Sequence, residues 1–461
     1  MGSITFTNLT RAVEIGANSY LLQIGAKRVV LDSGLHPRME GEAALPNHDL
    51  LADNSVDAIV VSHAHQDHVG SLPVLMRRQR RAPVFMTEGT RALSEVMLHN
   101  SVNVMLKKRD EGVVSYPLFT HREIDINSRR FSNIPVRQRF DLNGERLSPN
   151  ENVDIEFEFF DAGHILGSTG TLIRADGRTI FYTGDVNFDA QTLMQAATFP
   201  EEPLDVLIME TTRGDRATPE GFTRAGEELR LAEAFRDAFE RGGCVLLPLF
   251  ALGKTQEMLA LFYEFRRSGL LPRDCPIYIG GLGTKLTELH DRLAPRSIRQ
   301  RRGLQLLDEV APFVVGGQDA QTLPMKAGRI YALSSGMMSE KTLSNTVARL
   351  VLSEPNHSLI FVGYADPASP AGKIRSAEPG ETVQLSAEMP PQKLRCRVDK
   401  FNFSGHSSRE SLRAYANKVR PKKIVLVHGD VDAMNWFREV LSTDLPGTEI
   451  ITPTPGEPIE F

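Results

Sequence analysis

The sequence predicts an α/β protein in which one domain is split in sequence and a second is inserted between its halves. Three observations carry this. Residues 1–80 and 153–212 read as short apolar strands separated by turns, residues 213–390 alternate helices with apolar strands, and IVLVHGD at 424–430 returns to the strand-then-polar-loop texture of the start. A chain of 461 residues also suits two or three domains better than one.

Taken in order, NSYLLQIGAKRVVLDSG is expected to form a hairpin turning at Gly25 to Lys27. DAIVVSHAHQDHVGSLPVL reads as a buried strand over 57–62, a polar loop and a helix beginning near Val69. VDIEFEFF, TLIRA and TIFYTGDV follow as strands, with the turn ADGR between the last two, and VLIMETT at 206–212 is one more. Beyond it, RLAEAFRDAF, KTQEMLALFYEF and TLSNTVARLVL read as helices. CVLLPLF, PIYIG, RIYALSS and SLIFVGY read as strands, a pattern of βα units on a parallel sheet. The expected domains are 1–212 with 391–461, and 213–390. No internal repeat or low-complexity segment interrupts them.

Hydrophobic residues at 41% and charged residues at 24% are a globular composition. The opening MGSITFTNLTRAVEI lacks a basic head and apolar run, and no stretch offers 18 uncharged apolar residues, so secretion and membrane spanning are unsupported. Cys244, Cys275 and Cys396 lie outside any CxxC spacing, which argues against disulfides or a thiolate metal site and fits a cytoplasmic chain. A net charge of -5 gives no global attraction to nucleic acid. Local positive runs exist at Arg77, Arg78, Arg80 and Arg81 and at Arg296, Arg299, Arg301 and Arg302, although a solvated face explains either run equally well.

Four zinc ligands, His63, His65, Asp67 and His68, fall inside six residues. In an extended loop His63 and His65 point the same way, while Asp67 and His68 diverge and can serve a second ion. Imidazole and carboxylate together suit zinc at neutral pH, and histidines that merely cap or hydrogen-bond rarely crowd like this. Six residues cannot complete two coordination spheres. His164 in DAGHILGST, Asp185 in YTGDVN and His428 in VLVHGD each follow an apolar run and sit beside glycine, where backbone can approach a metal closely. Singly each is a weak signal; together they complete the set.

SHAHQDHVG, AGHILGS and YTGDVN resemble the successive metal motifs of the metallo-β-lactamase superfamily, and LDSG, with Asp32, resembles its first acidic motif. METTRG, FSGH and VLVHGD resemble the three further motifs of its β-CASP branch, which contains the pre-mRNA cleavage endonuclease subunit and related archaeal and bacterial ribonucleases. The resemblance implies an αββα sandwich with a β-CASP domain inserted at 213–390 and a substrate cleft between them. It implies one zinc on His63, His65 and His164, a second on Asp67, His68 and His428, and Asp185 bridging both. Asp32 would stand behind the ligands and orient an imidazole. Two zinc ions about 3.5 to 4 Å apart share a hydroxide and polarise a phosphoryl oxygen. Catalytic roles then fall to Asp67, to His406 as general acid, and to Glu210, which hydrogen-bonds His406 and favours its imidazolium.

Candidate phosphate contacts follow on the inserted domain. ALSSGMMSEKTLSN reads as a strand, a small-residue turn with Ser335 and Gly336, and a helix capped by Ser339 with Lys341 in its first turn, which is an anion site. The family carries a more glycine-rich loop where Ser335 and Met338 stand. In LPLFALGKTQE an arginine is usual; Lys254 keeps the charge but loses the bidentate fork. Ser408 stands where an acidic residue is usual after the FSGH motif, and Arg213 where an aromatic residue is common after METT.

Members that process RNA keep the histidine equivalent to His428, so the resemblance points to single-stranded RNA as substrate. No GXXG clamp or aromatic RNP run is visible, and aromatics are only 7% with one Trp. Specificity is left to the cleft, to a homodimer or to a partner protein, with the chain expected to end at EPIEF directly after the last strand of the metal domain. The expected activity is endo- or exoribonucleolytic. A hydrolase of a small ester, thioester or lactone, a DNA nuclease and a non-catalytic scaffold are the alternatives. The insertion argues against a small substrate, and retention of every ligand argues against a scaffold.

Overall fold

The computed structural model describes residues 3–387 and 390–461. The chain divides into two compact units, one of Met1–Ala190, Gln195–Thr218 and His406–Phe461, the other of Gln191–Met194 and Pro219–Gly405.

The first unit opens with an antiparallel meander of β1 (Ile4–Asn8), β2 (Tyr20–Ile24) and β3 (Lys27–Leu31). Ile24 faces Lys27, so the hairpin turns on Gly25 and Ala26 alone, with Gly25 at φ +56; the turn is one residue tighter than expected because two-residue turns match the twist of the strands. β4 (Ala58–Val60), β5 (Val84–Met86) and β6 (Phe131–Asn133) extend this sheet in parallel. A second sheet begins with β7 (Arg139–Asp141), β8 (Ile155–Asp161), β9 (Thr169–Ala175) and β10 (Arg178–Tyr182), all antiparallel, and β11 (Val206–Glu210) joins β10 in parallel. The helix expected near Val69 begins earlier and breaks in two, Gln66–Val69 and Leu72–Arg78. Pro73 accounts for the break: it has no N–H for a continuous helix but is tolerated in a first turn.

The second unit holds β12 (Val245–Pro248), β13 (Ile277–Gly280), β14 (Phe313–Val315), β15 (Ile330–Leu333), β16 (Ser358–Phe361), the short pair β17 (Thr382–Val383) and β18 (Gln392–Lys393), and β19 (Arg397–Lys400). Its main sheet runs β14-β13-β15-β12-β16-β19, every pairing parallel. Val245 and Leu247 enter one core with Phe235 and Phe262, while Leu246 enters another with Val347 and Leu359. Both faces are therefore buried, which is why these strands read as continuous apolar runs. The unit extends past the expected boundary at 390 to Gly405, because β19 hydrogen-bonds to β16. The helix after β15 is Leu343–Val351 with Thr342 at its N-cap, so Ser339 is not the cap. Residues 339–342 instead form a turn, Thr342 N donating to Ser339 O, and Lys341 takes a left-handed φ of +63 that no helical first turn allows.

The chain then returns to the first unit as β20 (Lys423–Val427), β21 (Glu449–Ile451) and β22 (Pro458–Glu460), completing sheets ordered β22-β1-β2-β3-β4-β5-β6 and β21-β20-β11-β10-β9-β8-β7. Phe6, Leu22 and Val60 from one sheet meet Phe157, Ile208 and Val425 from the other in a single core. Along β11, Val206 and Ile208 point into that core, and Leu207 and Met209 point outward beneath the helices Arg409–Val419 and Val431–Asp444. The helix Leu72–Arg78 covers the outer face of the other sheet, giving an αββα sandwich. Among the described residues no helix is long and apolar enough to cross a membrane. All three cysteines are buried, and burial pushes each thiol up to about 12, so they behave as small hydrophobes.

Candidate metal centre

The first unit gathers its histidines where strands end. β4 delivers Ser62 and His63, and His65 is the extended residue before the short helix carrying Asp67 and His68. His164 follows β8, Asp185 follows β10 and Glu210 ends β11. The parallel register of Glu210 with Val427 sets His428 beside them. Two backbones are held left-handed here, Asp32 at φ +59 and His428 at φ +48, the kind of local strain that clusters at working sites and costs of order 1–3 kcal/mol each.

Three groups of donors result among the described residues: His63, His65, His164 and Asp185; Asp67, His68 and His428; and, at the rim, Asp185, Glu210 and His406. In the first, His65 Nδ1 lies 3.1 Å from both His63 Nε2 and His164 Nε2, and Asp185 Oδ2 lies 3.4 Å and 3.7 Å from the latter two. In the second, Asp67 Oδ2 lies 3.3 Å from His428 Nε2. Asp185 Oδ1 faces this group, 3.3 Å from His68 Nε2 and 3.1 Å from His428 Nδ1. Zinc–ligand bonds of about 2.0 to 2.1 Å make tetrahedral edges of about 3.3 Å, so the spacings fit that ion. Asp185 Oδ1 is buried and hydrogen-bonds to none of the described residues despite these close nitrogens. Donors gathered this closely, with contacts such as His63 Nε2 to His65 Nδ1 and His428 Nε2 to Asp67 Oδ2, are spaced as a set that could hold a cation.

The electrostatics of the first group agree. Burial holds His65 down to about 3 and lowers His63 and His164 too, keeping their lone pairs free. His68 goes the other way: burial opposes its charge, but the carboxylates of Asp185 and Asp32 raise it well above the ordinary value. Asp185 lies well below the usual carboxylate range, because four imidazoles, His428 foremost, outweigh its burial.

Asp32 stands behind this array. Its Oδ2 lies 2.7 Å from His68 Nδ1, which turns His68 Nε2 toward Asp185. The same carboxylate accepts from Ser62 N, Ser62 Oγ and Tyr182 OH at 2.6, 2.7 and 2.6 Å, and Ser62 Oγ in turn lies 3.0 Å from His63 Nδ1. Asp32 thus braces His68 directly and His63 through Ser62. Ser62, Tyr182, Thr212 (Oγ1 2.9 Å from His428 Nδ1) and Asn18 (Nδ2 3.0 Å from Asp67 O) support the site without any sequence signal of their own. Ser62 and Tyr182 lay within motifs already singled out, but hydroxyls next to ligands carry no spacing signal.

His406 sits at the rim, with Nδ1 3.1 and 3.2 Å from the two oxygens of Glu210 and Nε2 3.9 Å from Asp185 Oδ2. Burial works against its charged form, yet Glu210 and Asp185 raise it to about 9. Glu210 is itself fixed by Val186 N at 2.8 Å. Ser408 caps the helix Arg409–Val419, accepting from Ser411 N at 3.1 Å.

The candidate phosphate contacts belong to the second unit. Lys254 is half-buried and donates to the Phe403 carbonyl. Gly336 lies against the Phe250 ring, Ser335 Oγ accepts from Ser339 N at 3.2 Å, and Ser344 N at the helix start already donates to Ser334 O. The arginine runs are largely structural. Arg77 pairs with Glu123, Arg78 with Asp49 and Asp53, Arg301 with Glu264, and Arg299 is buried on the carbonyls of His290 and Leu304.

Three family descriptions match along the chain: the metallo-β-lactamase superfamily over residues 13–217, a Beta-Casp domain over 255–374, and a Zn-dependent metallo-hydrolase RNA specificity domain over 391–453. The chain belongs to the β-CASP branch of the metallo-β-lactamase superfamily. Relatives among curated proteins include Endoribonuclease ysh1 of Schizosaccharomyces pombe, 27% identical over 95% of this chain and 56% of that protein. Others are Cleavage and polyadenylation specificity factor subunit 3 of Dictyostelium discoideum, 27% identical over 98% and 56%, and Cleavage and polyadenylation specificity factor 73 of Drosophila melanogaster, 27% over 94% and 60%. The chain spans a little over half the length of these relatives. A crystal structure of a protein of unknown function from Enterococcus faecalis V583 matches in fold, with a TM-score of 0.60 at 13% identity over the whole of both chains.

The β-CASP chain also braces its histidine loop by close backbone contact. A methyl group at Gly34, in the LDSG motif, would lie 1.7 Å from Asp67 O and 2.8 Å from Asn18 N. Gly34→Ala should therefore displace the Asp67 loop and destabilise the protein by about 2 kcal/mol or more, read as a lowered denaturant midpoint.

Proposed function

We propose that the chain is a zinc-dependent phosphodiesterase that cleaves single-stranded RNA, using two zinc ions per chain. The observation that carries this reading is the division of Asp185 between the two donor groups, one oxygen facing each. His63, His65, His164 and Asp185 would hold one ion, and Asp67, His68, His428 and Asp185 the other. A bound pair of this kind supplies a nucleophile from water at neutral pH and draws charge from a phosphoryl oxygen.

The chain's own residues do the rest. Asp32 and Ser62 fix the tautomers of His68 and His63, so that each presents its Nε2 lone pair. Thr212 restrains His428 at Nδ1. Glu210 holds His406 at Nδ1, which leaves a proton at Nε2 on the side of Asp185, where a departing sugar oxygen can take it. Asp67 contributes as a ligand that also fixes His428. Lys254 would serve as a phosphate contact of the inserted domain on leaving the Phe403 carbonyl, whereas Ser335, Gly336, Ser339 and Lys341 lie in a turn ahead of the helix and lose the helix N-terminus on which an anion site there depended. The RNA assignment draws on the relatives named as endoribonucleases and on the RNA specificity match over 391–453. Their assembly names point to protein partners supplying specificity.

Incubation with 5′- and 3′-labelled single-stranded RNA and DNA, with and without chelator, tests this reading. RNA cleavage abolished by chelator and restored by zinc is expected; cleavage of thioester or lactone but not RNA would refute it. His406→Ala should spare zinc content but slow cleavage by about 10²-fold or more, as for a lost general acid. Asp185→Asn should lower the occupancy of both ions together in a zinc titration, whereas loss of one alone would contradict bridging.

A further inference from the structure

Three arginines of the first unit lie around the loop that follows β11, and they are used differently. Arg409 lies 4.3 Å over the Trp436 ring and donates to Gly214 O at 3.3 Å and to Glu410 Oε1 at 3.2 Å. Arg216 donates from Nε to Asp215 at 3.1 Å. Arg213 is half-buried, and its hydrogen bond is a long one of 3.4 Å from Nη1 to the His406 carbonyl. Among the described residues no carboxylate oxygen pairs with it. Burial lowers its pKa, and Glu210 and Glu410 act on it only at a distance.

A guanidinium carries five donors in a planar fork, and a charged one taken partly from water without an anion is poorly compensated. Its place is informative as well. The backbone that Arg213 touches belongs to His406, whose Nε2 lies 3.9 Å from Asp185 Oδ2. A ligand on the other donors of Arg213 would therefore lie beside the residue whose ring borders the donor groups. The chemistry the fork matches is two oxygens of a phosphate, which a lysine or an aromatic side chain cannot grip in the same way.

We infer that Arg213 binds a phosphate of the substrate strand next to the scissile one. This rests on the RNA reading above. It makes Arg213 a binding residue, distinct from the groups that hold metal or transfer the proton.

The test is steady-state cleavage of labelled single-stranded RNA across a salt series by the wild type, Arg213→Lys and Arg213→Met, with the thermal midpoint of each protein measured alongside. Arg213→Met should raise KM roughly tenfold, keep kcat within about threefold, and reduce the slope of log KM against log salt by about 0.7, the increment for one single-strand phosphate contact. Arg213→Lys should recover the salt slope but only part of the KM, since it keeps the charge without the fork. Unchanged KM and slope in folded variants, or a fall in kcat alone, would overturn the assignment; the second pattern is what loss of the His406 carbonyl contact would give. If the wild type cleaves no RNA, the RNA reading fails and this one with it. Wild-type cleavage with unaltered variant slopes overturns this inference alone.

Discussion

The parallel pairing of β11 with β20 is the constraint on which the rest of the first unit depends. It brings Glu210 opposite Val427 across more than two hundred intervening residues, and so sets His428 and the Glu210 carboxylate at adjacent strand ends. The entropic cost of closing so long a loop grows only as the logarithm of its length, about 0.6 kcal/mol per doubling. Burial on both faces outweighs it: Ile208 and Val425 meet inside the sandwich, and Met209 and Leu426 pack beneath the covering helices. An insertion large enough to fold as a unit of its own is therefore compatible with a sheet that must close around it.

Around that pairing the site is built by mutual restraint. Asp32 and His428 both sit in left-handed backbone conformations that cost free energy, and both are held by several partners at once. Asp32 accepts from Ser62 twice and from Tyr182, and contacts His68. Thr212 and Asp185 contact His428. In a fully buried setting each such hydrogen bond is electrostatically stronger than in water, and an unmade one is expensive, so the network specifies one arrangement of the imidazoles. The proximity of His406 to the same carboxylate follows from the strand end at Glu210 and from the cap of the helix Arg409–Val419 at Ser408.

Much of this was legible in the residues. Apolar runs bounded by turn residues marked β8 to β11 and the parallel strands of the second unit alike, because strands buried on both faces read as near-continuous apolar runs. The HxHxDH cluster declared itself by density alone. Other features were not legible. Pro73 splits a helix that the apolar pattern drew as one, and the turn at residues 339–342 displaces a helix start that a serine and a lysine suggested. Capping residues are common in turns that precede no helix, so Ser339 carried a local signal without the tertiary contacts that decide it.

By itself the sequence determined the strand and helix periods, the absence of any apolar span for a membrane, and the donor types gathered for a metal. Those are properties of side-chain chemistry and local spacing. Only the tertiary structure decided which oxygen of Asp185 faces which group of imidazoles, that Ser62 links Asp32 to His63, that β19 belongs with the second unit's sheet, and that Arg213, unlike Arg216 and Arg409, pairs with no carboxylate among the described residues. Such facts depend on distances between segments far apart in the chain, and these are set by burial and backbone pairing rather than by any local pattern.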